Sequence, residues 1–201
     1  MPAPSWHQVE FTGHQSAYLK EQFNRYKDLP GDHVIPAAHL DGLWEIKGSS
    51  GVLQSGGTAA VGLYHPNQYT VEASSSSTLY ERTTVPHEVG HHVHLSKLNN
   101  RAVGEWNRIS QGGSTAKVSS YARTNTGEHF AEAYARYYGG PTDRANLEKL
   151  EPKAHAFMSK LSGKLLPPRE FASLLDTNAR YMGTPKKKSI EHEIELAGCS
   201  N

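Results

Sequence analysis

His87-Glu88-Val89-Gly90-His91 constrains this chain more tightly than any other stretch of it. Two imidazoles four residues apart can serve one metal ion on a helix, because there they stand on one face, one turn apart. Such a pair reaches a Zn²⁺ ion at roughly 2.0–2.1 Å. Glu88 lies one step round the helix, too far to be a good ligand but placed to take a proton from an activated water. The plain alternative is a polar helix face with a coincidental glutamate.

The flanking pattern supports a helix at the motif. Residues 84–97 read as one helix, with Thr84 as its cap and Pro86 in the first turn, where the missing N–H costs nothing. Before it, 43–47 is strand-like, and 58–64 and 69–73 form a hairpin about the turn His65-Pro66-Asn67-Gln68. Residues 16–29 carry a helical apolar stripe that Pro30-Gly31 stops, and the serine run 74–77 reads as a solvated loop. Asn99-Asn100 ends the motif helix, and a loop-rich stretch with Gly112-Gly113-Ser114 follows. Residues 127–138 and 145–161 read as two further amphipathic helices. Pro167-Pro168 breaks the chain; a short helix over 169–175 and a terminal edge strand over 190–196 are expected beyond it.

Composition excludes several classes. Lys and Arg total 21 against 20 Asp and Glu, a net charge of +1, which disfavours a nucleic-acid binder built on a basic face. The run Lys186-Lys187-Lys188 reads as solvated. A single cysteine, Cys199, excludes both a disulfide framework and a cysteine zinc site. The longest clean apolar run, 59–64, is far short of the roughly 18 residues that span a bilayer. No secretory signal stands at the N-terminus, so the chain is expected to act in a cytoplasm or to be delivered by another route. Its length is that of one domain with an appendage.

Two histidines do not complete a catalytic site, and a third ligand has several candidates. His94 shares the face of His87 and His91, but seven residues of helix put it about 10.5 Å from His87 along the axis. His92 points about 100° away from His91. Both read as surface or supporting histidines. Downstream, Glu128 and Glu132 are four apart on the helix over 127–138, beside apolar or small residues at 130, 131, 133 and 134. A carboxylate on a packed helix needs a partner, and a metal with its histidines would supply one.

HEVGHHV followed by YARTNTGEHFAEAYARYY resembles the catalytic domain of anthrax lethal factor and its relatives, the Pro-Pro endopeptidases among them. The resemblance extends over 87–161. It implies a gluzincin-type peptidase with His87, His91 and Glu128 as zinc ligands and Glu88 as general base. It also implies that Tyr121 donates a hydrogen bond to the developing oxyanion and that Glu132 orients a ligating imidazole. His129 departs from the pattern: an apolar residue is expected there, and a histidine beside Glu128 is a competing donor.

The expected fold is therefore α+β and zincin-like, a small mixed sheet packed on the motif helix with a helical C-terminal half. Residues 1–165 would form the metallopeptidase domain and 166–201 an extension, partly ordered at best. The expected function is a zinc metalloendopeptidase, a monomer that binds a protein or peptide substrate in extended form along the edge strand 60–64, with 69–73 its inner neighbour, and that engages neither nucleic acid nor membrane. Water activated by Zn²⁺ would attack the peptide bond, with Glu88 as base and Tyr121 as oxyanion donor. The alternative is a non-catalytic, zinc-stabilised structural or toxin-associated module of the same fold; the presence of Glu88 and Tyr121 weighs against it.

Overall fold

The computed structural model describes residues 9–25, 34–55, 57–74 and 83–166. The expected elements at 169–175 and 190–196, the lysine run and Cys199 lie outside the described residues. The architecture is α+β: a four-stranded sheet packed on the motif helix, followed by a helical half.

The sheet runs β1 (Glu10–Gly13), β2 (Glu45–Ser49), β6 (Thr70–Ser74), β5 (Gly62–His65) in spatial order. The first three strands are parallel and β5 is antiparallel to β6 at the edge. Strand alternation divides it cleanly. Phe11, Ile46, Val71 and Tyr64 stand in register on the inner face. Lys47 and Glu72 pair on the outer face, 3.2 Å apart. Helix α1 (Ser16–Arg25) covers part of the inner face with Leu19 and Phe23. It agrees with the expected 16–29 as far as Arg25, and the remainder lies outside the described residues.

The expected hairpin over 58–73 is split. Only β5 pairs with β6; β4 (Thr58–Ala60) pairs instead with β3 (Leu53–Ser55), a strand the pattern did not reveal. Gly56-Gly57 between them is a two-residue hairpin signature. The division falls at Val61, next to the point where the chain meets the motif helix.

That helix, α3, spans Val85–His92 and continues as a π turn over Val93–Lys97, with the Leu98 amide donating to Val93 O at 3.1 Å. Thr84 does not cap it: its φ and ψ of −62° and −54° are already helical and its side chain makes no cap bond. Every residue from Val85 to Gly90 is buried, so the helix has no solvated polar face. Its residues 84, 88 and 92 run along β5. A Cβ on Gly62 would lie 2.5 Å from Glu88 Oε1 and 2.6 Å from Thr84 Cγ2, and Tyr64 Oη sits 2.9 Å from His92 Nδ1. Two residues of strand thus match one turn of helix.

His92 is consequently buried rather than superficial, with Nε2 also 3.2 Å from Asp41 O. His94 is not a surface residue either: its ring stacks on Phe130 at 4.9 Å and both ring nitrogens are buried.

The helical half differs from expectation twice. The stretch after Asn99 contains α4 (Asn100–Ser110), capped by Asn99, whose Oδ1 accepts from the Ala102 amide at 2.9 Å. Asn99, expected as a helix terminator, also starts the next helix. Trp106 of α4 is fully buried and donates to Thr126 O at 3.0 Å, bracing the start of α5 (Thr126–Tyr138). The helix expected over 145–161 is two, α6 (Pro141–Leu150) and α7 (Pro152–Met158). Proline disfavours the helical conformation in the residue before it, and Glu151 leaves the helix at φ −139°, ψ 70°.

Burial also sets a pH limit on the fold. His39, in the short helix α2 (Ala37–Leu40), is fully buried with Nδ1 3.0 Å from Tyr134 Oη. Burial, aided by the Lys97 charge, lowers its pKa to about 3. Above the unfolded value near 6.5 the imidazole is neutral in both states, and no proton is taken up on unfolding. Below it only the unfolded chain binds the proton, so stability falls as pH falls toward 3. Urea unfolding of the parent and His39→Gln between pH 7.5 and 4 checks this. The parent should lose about 1.4 kcal/mol more per pH unit than the variant below about pH 6.5.

Candidate active site

Helices α3 and α5 pack backbone to backbone at Gly90. A Cβ there would lie 2.9 Å from Ala131 Cα and 3.2 Å from Tyr134 Cβ. This close approach brings the first turn of α5 under the histidine face of α3. Asn125 starts α5, its Oδ1 accepting from the Glu128 amide at 2.9 Å, so Glu128 stands in the first turn beside the positive end of the helix dipole. Asn125-Thr126-Gly127-Glu128 matches the spacing of a capping box, a signal available in the sequence.

Three atoms converge. His87 Nε2 lies 3.1 Å from His91 Nε2 and 3.0 Å from Glu128 Oε2, and His91 Nε2 lies 3.3 Å from the same oxygen. Ligands at roughly 2.0–2.1 Å around a tetrahedral zinc ion are separated by roughly 3.3 Å, so these spacings fit a single ion. Among the described residues His87, His91 and Glu128 are the group able to hold a metal, and His94 is not in it.

The surroundings demand positive charge. Burial alone would strip His87 of a proton, yet hydrogen bonds to Glu128 and Glu132 push its pKa up to about 10. Burial opposes ionisation of Glu128 as well, and the bonds from His87 and His91 outweigh it, holding its pKa far below the usual carboxylate range. A cation at this point satisfies both imidazoles and the carboxylate together.

Glu132 lies one turn beyond Glu128, and its Oε1 accepts from His87 Nδ1–H at 3.0 Å. This bond fixes the tautomer that leaves Nε2 free for a ligand role. Burial disfavours the Glu132 carboxylate, but the bonds from His87 and Ser119 keep its pKa below the ordinary value. Ser119 was not legible as a site residue: its Oγ also accepts from the Ala122 amide at 2.9 Å, tying Glu132 to the segment that carries Tyr121.

Tyr121 begins a 3₁₀ turn, Tyr121–Arg123, and its ring lies 5.8 Å from that of His87. Its hydroxyl hydrogen-bonds Glu128; burial and the Glu128, Glu88 and Glu132 charges raise its pKa, so it stays a donor. Glu88 is buried beside Gly62 of the edge strand, and burial raises its pKa while His91 and His87 pull it down. Gly62 also escaped the sequence reading; only the close approach of strand to carboxylate reveals its role.

His129 does not compete for the ion. It faces away from Glu128, fully buried, with Nδ1 3.0 Å from Ser110 Oγ and Nε2 2.6 Å from Glu151 Oε2.

Residues 46–161, more than half of the chain, match the family model described as anthrax toxin lethal factor, N- and C-terminal domain. The chain belongs to the anthrax toxin lethal factor family. The matched span runs from β2 to α7 and includes every site residue named above. No curated protein sequence matches the chain. Among solved structures, the Pro-Pro endopeptidase from Paenibacillus alvei is similar over 77% of this chain and 97% of its own, with 18% identity and a TM-score of 0.47. Among the described residues no helix of this lethal factor family member is long and apolar enough to cross a membrane.

The donor set makes a measurable claim. Dialysed against Zn²⁺ and assayed by mass spectrometry, the chain should retain about one ion. His87→Ala and His91→Ala should abolish retention, Glu128→Ala should weaken it strongly, and His94→Ala should leave it in place. Zinc lost with His94→Ala but kept with Glu128→Ala would overturn the assignment.

Proposed function

We propose that this protein is a zinc-dependent metalloendopeptidase. The observation that carries the reading is the convergence of His87 Nε2, His91 Nε2 and Glu128 Oε2 at 3.0–3.3 Å, with Glu88 and Tyr121 beside them. Two imidazoles and one carboxylate are a catalytic rather than a structural zinc set, because three protein ligands leave a position open. A zinc ion held there would supply Lewis-acid activation of water and polarisation of the scissile carbonyl.

The chain's own residues do the rest. Glu88 takes the proton of the attacking water on its carboxylate and delivers it to the departing amine nitrogen. Burial of Glu88, which raises its pKa, suits both halves of that exchange. Tyr121 donates its hydroxyl to the carbonyl oxygen as negative charge develops, a contact that strengthens in the transition state. Glu132 keeps His87 in the tautomer that binds, through the 3.0 Å bond to Nδ1. The substrate lies extended along the outer edge of β5, which is paired only with β6 among the described residues and passes the base at Gly62.

Two substitutions test the roles by kinetics on a peptide library. Glu88→Gln is nearly isosteric and not a ligand, so zinc content and fold should persist while turnover falls at least about 100-fold. Activity within a few-fold of the parent would remove Glu88 as base. A chain that holds zinc but turns over no peptide would be the non-catalytic module instead.

Tyr121→Phe removes only the hydroxyl. Zinc content and KM should stay near the parent's, and kcat should fall by about 10²–10³. An unchanged kcat would leave Tyr121 outside the mechanism.

A further inference from the structure

The break at Pro152 turns Glu151 out of its helix and into the interior. Its carboxylate is buried and accepts two consecutive backbone amides, Lys117 N–H and Val118 N–H, the latter at 2.8 Å. The other carboxylate oxygen meets His129 Nε2 at 2.6 Å, and His129 Nδ1 meets Ser110 Oγ at 3.0 Å. Ser110 in turn accepts from the Gly113 amide at 3.0 Å. One consistent assignment satisfies all of them: Gly113 donates to Ser110, Ser110 to Nδ1, and Nε2–H to Glu151.

The order serine, histidine, carboxylate is that of a nucleophilic triad. Ser110 and His129 are however sealed, at 0% and 1% exposure, and no substrate can reach the hydroxyl. The chain of bonds therefore acts on what it touches. At one end it holds 113, at the other 117 and 118, and between them lies the start of the segment that delivers Tyr121.

Tyr121 needs such support. It is 54% exposed, so its ring packs on one side only, against His87 with the hydroxyl on Glu128, and the backbone that carries it sets whether those two contacts form. That backbone is pinned at Lys117 and Val118 by Glu151, at Ser119 by Glu132, and at Arg123 by the bond from Nε to Ala116 O at 3.0 Å. His129 neighbours Glu128 on α5, so the same helix that offers a metal ligand on one face anchors the loop through the other.

We propose that Glu151 is a positioning residue for Tyr121, acting through the amides of Lys117 and Val118, with His129 and Ser110 holding its carboxylate in place. The catalytic part of this rests on the metallopeptidase reading above; the loop-anchoring part stands apart from it.

The experiment uses the full zinc-loaded chain with Glu151→Ala, Glu151→Gln, Tyr121→Phe and the double variants. Amide exchange by mass spectrometry is followed over 114–125, α3 and α5, and kcat and KM are measured on a cleaved peptide. Glu151→Ala should speed exchange over 114–125 at least about tenfold, since two charge-assisted bonds are lost, with α3 unchanged. It should lower kcat about tenfold or more with KM within about twofold. In the Tyr121→Phe background it should lower kcat no further than about twofold, because a residue acting through Tyr121 has nothing left to act on. Glu151→Gln keeps size and one carbonyl acceptor, so it should change the same segment in the same direction by less. It decides the matter if Glu151→Ala does not fold. Unchanged exchange over 114–125, exchange raised equally in α3 and α5, or losses that multiply in the double variant would each overturn the proposal. A parent without turnover on any peptide would sink the metallopeptidase reading, and exchange alone would then judge the anchor.

Discussion

The contact of Gly90 with the backbone of Ala131 sets the separation of α3 and α5, and the cluster of His87, His91 and Glu128 forms only at that separation. Helices pack 8–10 Å apart depending on the side chains between them, so a glycine opposite an alanine gives the close end of that range. At that distance the carboxylate of Glu128 reaches the nitrogens of His87 and His91 directly, and Glu132 reaches the back of His87 one turn along. A side chain at position 90 would push α5 away from the histidine helix and lengthen both spacings that Glu128 makes, to His87 and to His91.

Around that contact the molecule accounts for an unusual number of buried polar side chains. Most are paired, because an orphaned polar group in the interior costs about 1–3 kcal/mol; the ring nitrogens of His94 and Nε2 of His39 are the exceptions beside the site. On one side of α3, His92 joins Tyr64 of the edge strand to the carbonyl of Asp41. On the other, His87 runs through Glu132 to Ser119 and the Ala122 amide. These bonds connect the sheet, the motif helix and the Tyr121 segment through the site itself. Burial raises the pKa of Glu88, whereas at Glu128 the bonds from His87 and His91 outweigh the same burial and hold its pKa down, so one packed environment sets the two carboxylates apart.

The elements hardest to read in the sequence were those whose boundaries serve two masters. Asn99 closes one helix and caps the next, so α4 was hidden behind its own start signal. Glu151 sits inside an apolar helical stripe that continues past Pro152, and periodicity alone joins α6 to α7 although the proline disfavours helix at Glu151. Val61 lies within a run of β-forming residues, yet the strand divides there because Gly62 must abut Glu88 while β4 pairs with β3. In each case a local pattern was correct about the neighbours and silent about the junction.

The amino-acid sequence by itself determined the helical motif and the amphipathic helix with Glu128 and Glu132 one turn apart, because both follow from spacing along a single element, while the α+β class rested on the order of the elements and on the family resemblance. Which side of α3 faces Glu128, the edge strand and the core was decided only by tertiary packing, since a helix offers every direction and partners from distant segments select among them. The same holds for His129: it neighbours Glu128 in sequence, and 100° of helix rotation delivers it instead to Ser110 and Glu151 on the far side. Tertiary structure had the last word on Tyr121 too, because a half-exposed ring on an irregular segment has no periodicity to place it and takes its position from the bonds that hold its backbone.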